Sequence, residues 1–227
     1  ANRSLFWNRV EHALTLAQRS QQRVAVMFLD LDNFKNVNDS LGHDAGDRLL
    51  QAAAQRLVKS TRPSDTVARL GGDEFAILLE GIGSDLDVER VAAPISAAFN
   101  RPLLLDGREI EATASIGVAC SRPGDDAEQL LRNADIAMYG AKAAGKAQLV
   151  VFQPHMQEQL HDRLRLEQDI DLGLARDEFF LEFQPVVDLT SRELLGVEAL
   201  LRWNHPRRGL VMPADFIPIA EESGRIV

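Results

Sequence analysis

Leu70-Gly71-Gly72-Asp73-Glu74-Phe75 places paired glycines and paired carboxylates between apolar runs. Adjacent glycines turn a hairpin and leave no Cβ between backbone N–H groups and a phosphate. Carboxylates on a tight turn do little for a core, but they suit a hard divalent cation, which takes oxygen ligands. A second acidic pair, Asp30 and Asp32, ends the continuously apolar run 24–29. Taken singly, such residues are solvated strand ends or helix caps. Gathered in one sheet they would repel, and a bound Mg2+ would offset that repulsion. The sequence leaves the adjacency of strand and hairpin open.

The elements that must hold these groups follow from the apolar pattern. The run 24–29 reads as a strand buried on both faces. Residues 5–19 carry Leu5, Val10, Leu14 and Ala17 as a helical stripe, and 44–59 carry Leu49, Leu50, Ala53 and Leu57. Strands are expected over 66–70 and 75–79, joined through Gly71 and Gly72. Helices are expected over 86–100 and 126–144, and strands over 110–119 and 148–152. Lys142 and Lys146, four apart, would share a helix face. The mixture predicts an α/β (α+β) sheet with helices packed on it. Pro154 marks a boundary, giving a first domain over 1–153. A connecting helix lies within 154–176, with Leu160, Leu164 and Leu166 on its apolar side. A second region, 177–227, holds strands at 179–187 and 194–201 and a helix start at 215–223.

Bulk properties exclude several classes. The chain has 227 residues, 45% apolar and 26% charged, as in ordinary globular proteins. Its net charge of −9 argues against a nucleic-acid polymer as partner, which needs a basic face. A nucleotide accompanied by a divalent cation is not excluded. Cys120 is the only cysteine, so no intrachain disulfide or Cys-based zinc site is available. A reducing, cytoplasmic setting is expected. No apolar run approaches the ~20 residues of a bilayer span. Membrane attachment is therefore expected only through segments outside this sequence, as in the cytoplasmic part of an anchored bacterial protein. Gly140, Gly145 and Lys146 match a P-loop, but Ala147 stands where Ser or Thr must hold Mg2+. The stretch also ends a helix instead of opening one, so it reads as a helix end near Gly145.

The hairpin belongs to a set of spaced motifs. They are Phe28-Leu-Asp30-Leu-Asp32-Asn-Phe-Lys35-Asn-Val-Asn38-Asp39, Gly42-His-Asp-Ala-Gly46-Asp47 and Ala134-Asp-Ile-Ala-Met-Tyr139-Gly-Ala-Lys142. Together they resemble the GGDEF family of diguanylate cyclases over roughly residues 1–152. The resemblance implies a fold like nucleotidyl cyclase and polymerase palm domains, with a central, mostly antiparallel sheet flanked by helices. It also implies the reaction, condensation of two GTP to cyclic di-GMP with release of two pyrophosphates. By position it implies Asp30 and Asp73 as ligands of Mg2+ (or Mn2+), assisted by the Leu31 carbonyl. Asp73 and Glu74 would be the catalytic acidic pair. Asn38 and Asp47 would read guanine, whose edge offers both acceptors and donors. Lys35, Lys142 and Lys146 would contact phosphate beside Gly71 and Gly72. Lys146 stands where the family usually has Arg, which keeps the charge and loses the bidentate fork. Arg62-Pro-Ser-Asp65 resembles the family's inhibitory site for the cyclic di-GMP product. Because that product is twofold symmetric and each domain would hold one GTP, a homodimer is implied. The family's Asp-x-Leu-Thr-Gly-Leu lead-in would precede Asn2, so the sequence is expected to be trimmed from a longer protein.

Phe183-Gln184-Pro185 and Glu198-Ala199-Leu200-Leu201-Arg202-Trp203 resemble the EAL family of cyclic di-GMP phosphodiesterases, over roughly 164–227. Glu198 would be a metal ligand at the C-terminal end of a barrel strand, with Gln184 and Arg202 contacting the dinucleotide. That family's TIM-type barrel takes about 250 residues. Only its start is expected here, as two parallel strands with open edges, and no phosphodiesterase activity is expected from it. Three functional readings stay open. One is a diguanylate cyclase with product feedback. The second is a GTP-binding regulatory module of a tandem GGDEF-EAL phosphodiesterase. The third is a non-catalytic cyclic di-GMP receptor.

Overall fold

The computed structural model describes residues 1–83, 85–99, 101–105 and 108–226. They form two compact units, Ala1–Gln157 and Glu158–Val227. The first unit runs α1 (Arg3–Ser20), β1 (Arg23–Leu31), α2 (Phe34–Leu41), α3 (His43–Ser60), β2 (Thr66–Gly71), β3 (Glu74–Ile82), α4 (Asp85–Phe99), β4 (Leu103–Leu105), β5 (Arg108–Ile110), β6 (Ala114–Cys120), α5 (Ala127–Ala143) and β7 (Leu149–Val151). Five strands make one sheet in the order β2-β3-β1-β6-β7. The β6–β7 pair is parallel and the other pairs are antiparallel. This is the mixed, mostly antiparallel sheet flanked by helices that the resemblance implies.

Strand alternation explains the uninterrupted apolar run. Ala25, Met27, Leu29 and Leu31 of β1 share a core with Leu49, Ala53 and Leu57 of α3 and with Ala92 and Ile95 of α4. Val24 and Val26 point the other way, into a core built on Phe6, Val10 and Leu14 of α1 and on Leu130 and Ala134 of α5. A central strand covered on both faces has no polar side. β3 divides in the same way, with Phe75, Ile77 and Leu79 in the first core and Ala76 and Leu78 in the second. Side-chain N-caps hold the starts of α1 and α5: Asn2 accepts from the Leu5 N–H at 3.0 Å, and Asp126 from the Gln129 N–H at 2.7 Å.

Several local expectations shift. Phe6 is buried while Leu5 is exposed, because positions 6, 10, 13, 14 and 17 complete the helical stripe. Residues 34–41 form a separate short helix with no fully buried residue, although Phe34 and Val37 pack against the first core. The strand expected over 110–119 divides into β5 and β6, and β4 pairs β5 as a small hairpin. The expected helix end at Asn100 lies outside the described residues. α5 stops at Ala143 and Gly145 follows at φ +109, so the P-loop match is a helix end. Lys146 therefore lies beyond the helix and does not share its face with Lys142.

The second region comprises most of α6 (Pro154–Ala175), then β8 (Phe179–Val187), β9 (Leu194–His205), β10 (Gly209–Val211) and α7 (Pro213–Glu222). The strands are ordered β10-β9-β8. β8 and β9 are antiparallel, which corrects the expectation of parallel strands. The connection 188–193 is a tight turn in which Asp188 accepts from the Thr190 and Ser191 N–H groups at 2.8 and 2.6 Å. A parallel crossover needs a dozen or more residues. The described residues form no closed barrel. Leu166 and Ile170 of α6 pack with Trp203, Phe216 and Ile219, whereas Leu164, expected on the apolar side, is exposed. The buried His205 accepts from the Arg207 and Arg208 N–H groups on Nδ1, at 3.1 and 3.2 Å. Its Nε2 therefore carries the proton and donates to Asp169 at 3.0 Å. Burial alone would raise the Asp169 pKa, but the hydrogen bonds from His205 and Arg207 and the Arg207 charge hold it below 3.8. Among the described residues no helix is long and apolar enough to cross a membrane.

Candidate functional site

Strand order brings the two acidic segments together. β1 and β3 are neighbours, Asp30 is paired with Glu74, and the Leu31 N–H donates to the Asp73 carbonyl at 3.4 Å. Asp73 lies on the turn between β2 and β3, and Gly71 is opposite Glu74 after a register shift beyond Arg69. Gly72 takes φ +48, where a β-carbon is disfavoured. The Arg69 Nε donates to the Gly72 carbonyl at 2.9 Å and braces the turn.

Lys142 reaches over from α5 to Asp30 Oδ2 at 2.7 Å. Burial raises the Asp30 carboxyl above its ordinary 3.8, the Lys142 hydrogen bond and charge pull it down, and Asp73 and Asp32 push it up again. A partly buried carboxylate with acidic neighbours and one ammonium on it is a site that calls for positive charge. Asp30, Asp73 and the Leu31 carbonyl are hard oxygen donors of the kind Mg2+ and Mn2+ take. Among the described residues no three His, Cys, Asp or Glu side chains converge into a ready-made cage. Ligand oxygens or waters would have to complete the shell, as is usual for Mg2+.

Asn38 lies on α2, and its amide packs against Gly46 of α3, the residue before Asp47. A Cβ on Gly46 would lie 1.9 Å from Asn38 Oδ1, so only glycine lets that amide rest against α3 at this point. Asp47 lines a groove of about 520 Å³ with Leu50 and Gln51 of α3 and Val67 and Arg69 of β2. Lys35 is exposed on α2. Lys146 Nζ donates to Asn33 Oδ1 at 2.9 Å. Arg62 and Asp65 form a self-contained turn ahead of β2, in which the Arg62 N–H donates to Asp65 Oδ2 at 2.9 Å. In the second region Gln184 is directly opposite Glu198. Arg202 follows on the same face of β9 and binds Glu182 Oε2 at 2.7 Å. Glu198 is not at a strand end: β9 continues past it to His205 because β10 pairs with residues 203–205.

Sequence reasoning read Asp32 only as one of the gathered acidic residues and assigned no role to Asn33, Thr113, Ser115, Arg3 or Asp135. The buried Asp32 accepts from Ser115 Oγ at 2.6 Å, Thr113 Oγ1 at 2.7 Å and the Ala147 N–H at 3.0 Å. Arg3 lies 3.8 Å from Glu74 and, with Glu74, Trp7, Phe28 and Asp135, lines a cavity of about 460 Å³ under α1 and α5. Burial raises the Asp135 carboxyl, against the charges of Lys142 and Arg3. The available signal was polarity inside apolar runs, as in Thr113-Ala-Ser115 opening β6.

Comparison with known proteins gives two family matches: "Diguanylate cyclase, GGDEF domain" over residues 1–148 and "EAL domain" over 165–227. The chain is 41% identical over 228 residues to MucR of Pseudomonas aeruginosa, named a bifunctional diguanylate cyclase/cyclic di-GMP phosphodiesterase. The alignment covers 100% of this chain and 33% of MucR, so the chain spans about a third of that relative. Among solved structures, the GGDEF domain of YfiN (TpbB) from Pseudomonas aeruginosa superposes with a TM-score of 0.65 at 41% identity, covering 67% of this chain and 96% of that one. The GGDEF domain of DgcB from Caulobacter crescentus, solved in complex with c-di-GMP, gives 0.62 at 27% identity, covering 66% and 90%.

Proposed function

The chain belongs to the GGDEF family, and its GGDEF domain is followed by part of an EAL domain; from that premise we propose that it is a diguanylate cyclase. The reaction joins two GTP as cyclic di-GMP and releases two pyrophosphates. The observation that carries this reading is the β1–β3 register, which sets Asp30, Asp73 and Glu74 at one end of the sheet with Lys142 on Asp30. Asp30, Asp73 and the Leu31 carbonyl would hold Mg2+ or Mn2+. Once bound, such an ion neutralises triphosphate charge and favours attack of the 3′-hydroxyl on the α-phosphate. Lys35, Lys142 and Lys146 bind phosphate oxygens, while Gly71 and Gly72 let backbone N–H groups approach them. Asn38 and Asp47 take the guanine edge. Each domain holds one GTP, so two copies face each other about a twofold axis. Arg62 and Asp65 bind the product and restrain turnover.

The experiment is incubation with GTP and Mg2+ while following cyclic di-GMP. Product is expected, with specific activity rising with protein concentration as the facing pair assembles. GTP binding without product would favour the regulatory module, the reading that fits relatives 39% and 37% identical to this chain that are named cyclic di-GMP phosphodiesterases alone. Cyclic di-GMP binding without turnover, lost in Arg62→Ala, would favour the receptor.

Gly46→Ala separates guanine reading from folding. The new methyl would displace the Asn38 amide and come within 3.2 Å of Phe34 Cζ, and all of these are side-chain atoms, which can shift where backbone cannot. Ala is favoured over Gly inside a helix by about 1 kcal/mol, so the melting temperature should hold or rise. GTP affinity by calorimetry should fall about tenfold, near 1.4 kcal/mol, for loss of a base contact.

A further inference from the structure

We infer that Asp32 is a positioning residue, whose buried carboxylate pins the α5–β7 loop so that Lys146 is delivered to the start of α2. The contact between the two loops is a two-rung clasp. On one rung the Ala147 N–H donates to Asp32 Oδ2 at 3.0 Å. On the other, Lys146 Nζ donates to Asn33 Oδ1 at 2.9 Å. Adjacent residues of one loop thus bind adjacent residues of the other. The Asp32 end is rigid. Its side chain is held by Ser115 and Thr113, its own N–H donates to the Thr113 carbonyl at 2.9 Å, and it is 8% exposed.

The Lys146 end would not hold its shape unaided. Lys146 and Ala147 take φ of +63 and +50, a region that residues with a β-carbon enter at a cost. Such backbone persists where its surroundings over-determine it. Here the fastening is a charge-assisted hydrogen bond onto a buried carboxylate. Asn33 contributes from its side: it takes φ +57 at the start of α2 and makes no side-chain cap, so its Oδ1 serves Lys146. The start of a helix is where phosphate is favoured, and the clasp holds the Lys146 ammonium there. The inference rests on the reading of Lys146 as a phosphate contact.

The test measures binding of a non-hydrolysable GTP analogue and of GMP to Asp32→Asn, Lys146→Ala and the double variant of the full chain. Asp32→Asn and Lys146→Ala should each weaken the triphosphate about tenfold and GMP less than about twofold, with the double variant no worse than Lys146→Ala alone. Ala147→Gly, which accepts the left-handed backbone freely, should restore part of the loss in Asp32→Asn. Additive losses, or equal weakening of GMP, would overturn the positioning role while leaving Lys146 a phosphate contact. No effect of Lys146→Ala on the triphosphate would overturn the phosphate reading and the inference with it. Amide exchange at Ala147 in the parent chain is a check that needs no variant: the clasp predicts a protected loop amide, and fast exchange overturns it.

Discussion

Replacing Asp73 by alanine should reduce cyclic di-GMP formation by at least about a hundredfold while leaving the fold intact. The size follows from charge. Metal-assisted stabilisation of a phosphoryl transition state is worth several kcal/mol, and each ~1.4 kcal/mol is tenfold in rate. Asp73 would supply one of only two carboxylates on the cation, and its neighbour Asp30 is already shared with Lys142 at 2.7 Å. The fold should not suffer, because Asp73 lies on a turn and its carbonyl, which the Leu31 N–H reaches, remains in alanine. GTP binding through Asn38 and Asp47 should survive in part. Product formation by GTP turnover, with thermal melting of both proteins, checks the expectation. Undiminished turnover in Asp73→Ala would mean that the hairpin is not the cation site.

Gly117→Ala should be the most damaging single methyl group in the first unit. A Cβ at this position in β6 would lie 2.0 Å from the Met138 backbone nitrogen and 2.3 Å from the Ala134 carbonyl oxygen. Both belong to α5, and backbone cannot rotate aside as a side-chain tip does. Overpacking costs roughly 1–3 kcal/mol, and the fixed obstacle places this site at the upper end. The first unit should melt roughly 4–12 °C lower. α5 also carries Lys142, and the loop after it carries Lys146, so lifting the helix should weaken triphosphate binding as well. Calorimetric melting and GTP titration of the same variant would check both effects. An unchanged melting temperature would show that α5 can move away from the strand at little cost.

The contrast between Gly46 and Gly117 shows what sequence reading can reach. Gly46 lies in a motif and draws attention; Gly117 lies in an apolar strand and draws none. Yet Gly117 meets backbone and Gly46 meets a side-chain amide. Asp30 and Asp32 make the same point. Two residues apart on one strand end, they look equivalent, and a metal role for one suggests a metal role for both. In the fold Asp30 faces Lys142, whereas Asp32 is enclosed by Ser115, Thr113 and Ala147. Those partners lie 81 to 115 positions away in the chain. No local pattern encodes separations of that order.

What the sequence determined by itself was set by short-range periodicity and composition. The double-faced apolar run of β1, the α3 stripe, the glycine hairpin, the rejection of the P-loop and the absence of cysteine pairing all follow from neighbours a few positions apart. The spaced motifs carried the family. The tertiary structure alone decided three things: that β1 and β3 are adjacent, so Asp30 meets Asp73 and Glu74; that β8 and β9 run antiparallel; and that Asp32 belongs to a clasp. Each depends on which strand pairs with which and in what register. Pairing is a choice among distant partners, settled by burying both faces of the sheet at once. The pattern along one strand shows that both its faces are covered, but not by which partners.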